Sequence, residues 1–196
     1  MNARPYQMEN RAAAAAETAT RILDAAMTRY ARMPYDRVRL EDVAADAAVT
    51  PQTVIRRFGG KPGLIVAVAE RGMARITQAR AARMGVDPAD TIHDLVDHYE
   101  EYGALILKVY AEAGQIAGMP DLAAAGRRYH VDWCRQVFEP HLPTGLDAAT
   151  RGRRLAQIVA VCDATVWRIL REDAGLPPEQ IERALGELLL PLLEAR

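Results

Sequence analysis

The stretch Leu40-Glu-Asp-Val-Ala-Ala-Asp-Ala-Ala-Val-Thr-Pro-Gln-Thr-Val-Ile-Arg-Arg-Phe58 decides the fold. Its two ends, Leu40–Ala47 and Pro51–Phe58, are each long enough for about two turns of helix. Thr50 is a good N-cap residue, and Pro51 suits the first position of a helix. The glycine pair that follows Phe58 ends the second helix. Two short helices joined by a tight turn predict a helix–turn–helix, whose second helix enters the major groove of DNA.

The outward face of the second helix carries side chains that suit DNA. Gln52 can pair with adenine, Arg56 and Arg57 with guanine or phosphate, and Thr53 with a base or a phosphate. Lys61 lies just ahead of the next helix, where its ammonium and the helix N-terminus can hold a phosphate together. The spacing alone also fits two helices that merely pack, and that alternative stays open at this point.

The composition excludes several classes of protein. The 196 residues are 50% hydrophobic and 26% charged, as in a soluble globular protein. There is no run of about 18 apolar residues and no secretory-signal pattern, so neither a transmembrane helix nor export is expected. The two cysteines, Cys134 and Cys162, form no CxxC pair, which favours free thiols in a reducing cytoplasm.

Charge divides the chain into two parts. Residues 1–83 contain 14 basic and 8 acidic residues, a net charge of +6, and residues 84–196 contain 11 basic and 18 acidic residues, a net charge of −7. A basic first part can meet a polyanion, either nucleic acid or a membrane surface. A chance asymmetry of solvated faces is the alternative.

Helical patterns fill the rest of the chain, and no segment alternates as a strand would, so we expect an all-α fold. The expected division is a flexible N-terminal arm at 1–17, a helix–turn–helix domain at 18–61 and a second domain at 62–196, with helix 62–84 connecting the two. Arg4 and Arg11 of the arm would either enter the minor groove or belong to a frayed terminus. Helices are predicted at Arg11–Met33, Leu40–Ala47, Pro51–Phe58, Pro62–Met84, from Thr91 onward, and at Asp121–Glu139, Ala148–Asp173 and Pro178–Ala195.

Two apolar stripes near the C-terminus predict a dimer. A helix that is apolar on more than one face must be buried on more than one face, and a second copy related by two-fold symmetry can cover the outer one. A purely intramolecular core is the alternative. The residues assigned to the dimer interface are Leu155, Ile158, Val159, Cys162, Val166, Ile169, Ile181, Leu185, Leu188, Leu189 and Leu192.

Aromatic side chains are concentrated in the middle helices. Ligand pockets favour aromatic walls with a few polar groups, so a small apolar or aromatic effector is expected, although each of these residues can equally belong to the core. The residues assigned to the effector pocket are Tyr99, Tyr102, Tyr129, Trp133 and Trp167.

A polar cluster lies on the first of these helices and is interpreted as a solvated acidic face. His93 and Asp97 have a spacing that can bind a metal, but no metal or other cofactor is expected. The chain has no GxSxG, P-loop or HExxH motif, so it is not expected to be an enzyme. The members of the cluster are His93, Asp94, Asp97, His98 and Glu101.

Residues 22–65 resemble the N-terminal domain of the tetracycline-repressor (TetR) family of bacterial transcription regulators. The matching stretches include Ile22-Leu-Asp-Ala-Ala26, Glu41-Asp-Val-Ala44 and Phe58-Gly-Gly-Lys61. The resemblance implies an all-helical homodimer whose first three helices bind DNA and whose later helices form a ligand chamber and the dimer interface. It also implies that Thr50 caps the recognition helix and can touch a phosphate, and that Arg57 and Lys61 grip the DNA backbone.

Four positions depart from the family pattern. Arg39 stands where a threonine usually caps the second helix, and an arginine side chain cannot accept an N–H bond. Ala48 stands at a turn position that is usually glycine, and it would need a positive φ there. Ile55 replaces a tyrosine that usually donates to phosphate, and Pro34 replaces a glycine at the end of the first helix. The phosphate contacts are therefore expected to rely more on arginine and lysine.

The sequence predicts a cytoplasmic homodimer that binds a palindromic operator in double-stranded DNA. We interpret it as a repressor that is released when a small-molecule effector tilts the DNA-binding domains and spoils their spacing. The alternative is a helical ligand-binding or scaffolding protein without sequence-specific DNA binding. A membrane-surface protein is disfavoured, because the first helices need their apolar faces for their own core.

Overall fold

The computed structural model describes residues 3–81 and 87–194, with side chains from residue 11 onward. These residues form helices and turns without any strand, which confirms the predicted all-α class. No helix in the described ranges is long and apolar enough to cross a membrane. The α-helices are α1 (Ala3–Arg32), α2 (Leu40–Asp46), α3 (Pro51–Phe58), α4 (Lys61–Ala81), α5 (Pro88–Glu112), α6 (Met119–Phe138), α7 (Ala148–Val161), α8 (Ala164–Arg168) and α9 (Pro178–Leu193).

The chain divides into two compact units. The first runs up to Gly72 and takes in a later segment, Glu112–Leu122, and the second comprises Met73–Ala111 and the chain from Ala123 onward. The boundary expected at 61/62 therefore falls too early, since the first three turns of α4 belong to the first unit. A hydrophobic pattern that continues through α4 gives no sign of where one core ends and the next begins.

The first unit is built on one apolar face of α1. Ile22, Ala26 and Tyr30 follow helical spacing and are fully buried, together with Val43 of α2 and Val54 of α3. Polar contacts from α1 hold α2 in place: Arg21 Nε donates to Ala47 O at 3.3 Å, and Arg29 Nε donates to Asp46 Oδ2 at 2.6 Å. The helix–turn–helix is thereby fixed to a rigid support.

The segment Glu112–Leu122 completes this first unit. Tyr35 N–H donates to Glu112 Oε1 at 3.3 Å. Ile116 and Met119 are almost fully buried. Gly118, with a φ of 86°, brings its backbone close to the side chain of Val66. This segment begins 77 positions after Tyr35 in sequence and still packs with the helix–turn–helix unit.

The second unit surrounds a core from α5, α6, α7 and α9. The helix predicted over Ala148–Asp173 is interrupted: α7 ends at Val161, and Asp163 accepts the Thr165 N–H at 2.8 Å as the N-cap of α8. Tyr99 Oη donates to the carbonyl of Cys162 at 2.6 Å, which satisfies a group that the break leaves open. Beyond α8, residues Ile169–Asp173 form a π-helical turn.

The starts of α1 and α5 also differ from the predictions, by eight and three residues. Helix α1 begins at Ala3 instead of Arg11, so the backbone of residues 3–17 is helical where we expected a flexible arm, in keeping with its run of five alanines. Met1, Asn2 and the side chain of Arg4 lie outside the description. Helix α5 begins at Pro88 instead of near Thr91, because Asp87 accepts the Ala89 N–H at 2.9 Å.

Candidate functional site

The recognition helix α3 has the ends that its sequence predicts. Thr50 has an extended backbone, and its Oγ1 accepts the Thr53 N–H at 3.2 Å, which confirms Thr50 as the N-cap. Val54 is completely buried and anchors the inner face of the helix. Gly59, at a φ of 75°, ends the helix in the left-handed region.

The outer face of α3 presents exposed side chains, and two of them are arginines. Gln52, Ile55, Arg56 and Arg57 are exposed. Among the described side chains no carboxylate forms an ion pair with either arginine, so both guanidiniums are available to an external anion. Thr53 is half-buried, and its hydroxyl lies 3.0 Å from that of Thr50, so it also supports the cap. The base and phosphate contacts assigned to these residues remain predictions.

The turn between α2 and α3 contains the strained position that the sequence predicts. Ala48 has a φ of 54°, the one positive value outside glycine in the described backbone. The Val49 N–H donates to Ala44 O at 2.9 Å and closes the turn. At the other end of α2, Arg39 makes no capping hydrogen bond from its side chain. Both departures from the family pattern therefore have the local geometry expected of them.

Lys61 is held at the start of α4. Its Nζ donates to Asp36 O at 2.9 Å and lies 4.4 Å from the centre of the Tyr35 ring. An ammonium carries three donors, so a phosphate contact is still compatible with this position. Glycine is required at position 63, two residues later, since a Cβ there would collide with the carbonyl of Phe58.

The residues predicted to form the dimer interface are partly buried within one chain and partly exposed. Ile158, Cys162, Ile181, Leu185 and Leu189 are already buried within a single chain, so their assignment to a subunit interface is wrong; they form the intramolecular core. Sequence spacing cannot separate these two roles, because both need an apolar stripe. The assigned residues that remain half-buried or exposed are Leu155, Val159, Val166, Ile169, Leu188 and Leu192.

A cavity of about 540 Å³ lies in the second unit between α4, α5 and α6. Of the predicted effector residues, Tyr102 and Trp133 line it, whereas Tyr99 and Tyr129 line a separate space of about 40 Å³. Trp167 lines neither of these two cavities: it packs against Gly103 and donates its indole N–H to Glu100 Oε1 at 2.9 Å. Trp167 is therefore a core residue, and its assignment to the pocket is wrong.

The larger cavity is more polar than the aromatic residues suggested. Asp94, Asp97, His98 and Glu101 line it, so this part of the predicted solvated face forms one wall of a cavity. His93 does not line this cavity: its Nδ1 lies 2.7 Å from Glu182 Oε1 and its Nε2 lies 3.7 Å from Asp97 Oδ2. The apolar or aromatic character expected of the effector stays a prediction.

Sequence reasoning missed Arg80. This residue of α4 is only 8% exposed and lines both cavities. Its guanidinium carbon lies 4.5 Å from the centre of the Trp133 ring, and Nη2 lies 3.4 Å from Tyr99 Oη. A single arginine on a long helix gives no sequence signal of burial.

The comparisons with solved structures agree with this architecture. A transcriptional regulator from Rhodococcus sp. Rha1 is 16% identical, with a TM-score of 0.71 over 89% of this chain and 95% of its own. The fatty acid degradation regulator FadR from Bacillus halodurans is 17% identical, with a TM-score of 0.61 over 88% and 94%. AibR, solved with isovaleryl coenzyme A and operator DNA, is 16% identical, with a TM-score of 0.63 over 88% and 98%. These likenesses show the fold.

No curated protein sequence matches the chain significantly. Residues 22–68 match the sequence profile of bacterial regulatory proteins of the tetR family, and this range holds α2, α3 and the start of α4. Residues 22–68 therefore form a helix–turn–helix DNA-binding domain of the tetR family.

Proposed function

We propose that this protein is a ligand-responsive repressor that binds a palindromic operator as a homodimer. The exposed face of α3 carries the proposal: Gln52, Arg56 and Arg57 project from a capped helix whose inner face is locked by Val54. Gln52 and Arg56 read base edges, while Arg57, Thr50 and Lys61 contact phosphates. As a DNA-binding regulator, the protein would act in the cytoplasm.

The apolar surface of the C-terminal helices supports the dimer. Leu188 and Leu190 of α9 are 52% and 37% exposed, and Ile169 is 46% exposed. Large apolar side chains left exposed at a surface favour an interface. A two-fold dimer places its two recognition helices about 34–36 Å apart along the DNA, so each operator half-site meets one copy of α3.

The cavity of the second unit supports the ligand response. Its volume, about 540 Å³, is within the range of small-molecule sites. AibR, which shares the fold, is known in complex with both a small ligand and operator DNA. In this chain the ligand releases the operator only if it binds the DNA-free arrangement more tightly than the DNA-bound one.

Selection from a randomised duplex library at about 0.15 M salt tests DNA reading, since purely phosphate-driven binding is weak at that ionic strength. We expect enrichment of an inverted repeat. An enriched single half-site would contradict the dimer. Absence of any enriched sequence would favour the alternative, a helical ligand-binding or scaffolding protein.

Leu188→Glu tests the dimer, because a carboxylate at the centre of an apolar interface is strongly unfavourable. We expect the variant to sediment as a monomer and to lose the inverted-repeat preference. Gln180→Glu, which adds the same charge at an exposed polar position of α9, should leave the dimer unchanged. A Leu188→Glu dimer of wild-type strength would exclude this surface as the interface.

A further inference from the structure

Arg80 is a buried cation without a carboxylate partner. Among the described side chains, none of the ion pairs involves Arg80, and its Nε has no hydrogen-bond partner. A buried guanidinium is unfavourable unless an anion compensates it. The faces of Trp133 and Tyr99, at 4.5 Å and 5.8 Å, stabilise the cation but cannot neutralise it. The inner end of the cavity is therefore suited to a carboxylate, which an arginine can bind through two parallel hydrogen bonds.

The outer part of the same cavity has the opposite charge. Asp97 and Glu101 are exposed, and Asp94 is half-buried beside them. A ligand with one negative charge would satisfy Arg80 but would be repelled by three carboxylates. A ligand with only a positive charge would suit the carboxylates but would leave Arg80 buried and uncompensated.

Aromatic and apolar surface lies between these charges. Leu95, Tyr102 and Trp133 line the cavity together with the charged groups. We propose that the cavity binds a small zwitterion whose carboxylate pairs with Arg80, whose ammonium lies among Asp94, Asp97 and Glu101, and whose carbon skeleton packs on Trp133 and Tyr102. This deepens the ligand response proposed above and rests on it only for its regulatory meaning.

The test compares two sets of probes that differ in charge and share a skeleton. The first set is phenylalanine, 3-phenylpropionate and 2-phenylethylamine, in which the zwitterion has adjacent charges. The second is 6-aminohexanoate, hexanoate and pentylamine, in which the charges are at opposite ends. Binding to the full-length protein without DNA is measured by calorimetry and by the fluorescence of its tryptophans. In at least one set we expect the zwitterion to bind about tenfold or more tightly than both singly charged members.

Variants separate the two ends of the site. Arg80→Met should weaken zwitterion binding about tenfold and leave the amine unaffected or better bound, whereas Glu101→Gln should weaken both zwitterion and amine. Arg75→Met removes the same charge from an exposed position of α4 and serves as the control. Thermal unfolding checks that each variant is folded; Arg80→Met should unfold at a higher temperature without ligand, since it removes an uncompensated charge.

Three results would overturn the inference: a singly charged member binding as tightly as its zwitterion in both sets, no binding by any of the six probes, or zwitterion binding that is indifferent to Arg80→Met. None of these three results affects the outcome of the operator selection. The zwitterion site can therefore be disproved while the proposed repressor function remains supported. Conversely, zwitterion binding in a protein that enriches no operator would overturn the proposed function and leave the site intact.

Discussion

The guanidiniums of Arg56 and Arg80 are placed in opposite surroundings. Arg56 is exposed on α3, where water solvates its charge until an anion arrives. Arg80 is only 8% exposed in the second unit and lies against the ring of Trp133. An exposed cation attracts any polyanion through a field that salt screens, whereas a buried one discriminates between ligands by whether they neutralise it. The first unit is thus suited to a long polymer and the second to one small molecule.

The largest expected effect is the difference in salt dependence between the two regions. With Arg56, Arg57 and Lys61 of both subunits on phosphates or bases, operator affinity should fall by about 10³-fold between about 0.05 and 0.2 M salt. Zwitterion binding at Arg80 should change by less than about twofold, because burial protects it from screening. Parallel titrations of DNA and of the better zwitterion measure both slopes. Equal salt dependence of DNA binding and zwitterion binding would contradict the proposed difference between the exposed and the buried arginine.

Arg56→Ala tests the exposed side of the comparison. We expect a loss of about 1–3 kcal/mol in operator binding, together with relaxed preference at one base pair. Lys61→Ala should instead weaken all duplexes alike and flatten the salt slope. Arg153→Ala, which removes an exposed cation from α7, is the control. If Arg56→Ala weakened every duplex equally, Arg56 would be a phosphate contact.

Ala48→Gly tests whether the turn that presents α3 is strained. Its φ of 54° suits glycine, so the variant should stabilise the turn by up to about 1 kcal/mol. Hydrogen exchange of the Val49 amide, which bonds to Ala44 O, reports the local opening. Ala45→Gly, within α2, should destabilise by a similar amount. Zwitterion affinity should not change with either substitution. Faster exchange of the Val49 amide in Ala48→Gly than in the wild type would contradict the assigned strain.

The smallest expected effect is a pH dependence confined to the second unit. The Glu182 carboxylate raises the pKa of His93 above its ordinary value of 6.5. This contribution is complete below about pH 6.5 and is lost as the pH rises through the folded-state pKa. Because His93 is exposed and Glu182 is only half-buried, the change should be below about 1 kcal/mol. Denaturation midpoints at pH 6 and 8 for the wild type and for His93→Gln measure this contribution. An identical change of midpoint with pH in both proteins would show that the His93–Glu182 pair does not contribute to stability.

Local signals account for what could be predicted in the first unit. The bounds of α3 and the cap at Thr50 follow from side chains within a few residues of each position, whereas the positive φ of Ala48 was expected from the family resemblance. Similar signals were available but overlooked at the start of α5, where Asp87 caps the helix ahead of Pro88.

The features that could not be predicted depend on distant contacts. The break after α7 is supported by Tyr99, more than 60 positions away, and it interrupts an apolar stripe without glycine or proline. The same stripe pattern serves the core residue Leu185 and the exposed Leu188. Likewise, nothing in the sequence near Arg80 indicates which face of α4 is covered.

The place of residues 112–122 in the first unit has a consequence for how the protein is made. A ribosome delivers α1, α2, α3 and all of α5 before Ile116 and Met119 emerge, yet these two side chains are almost fully buried. The DNA-binding unit therefore cannot finish folding as its own residues leave the exit tunnel. A truncated gene ending at Gly72 would yield a domain with an uncovered apolar surface, and one prone to aggregation.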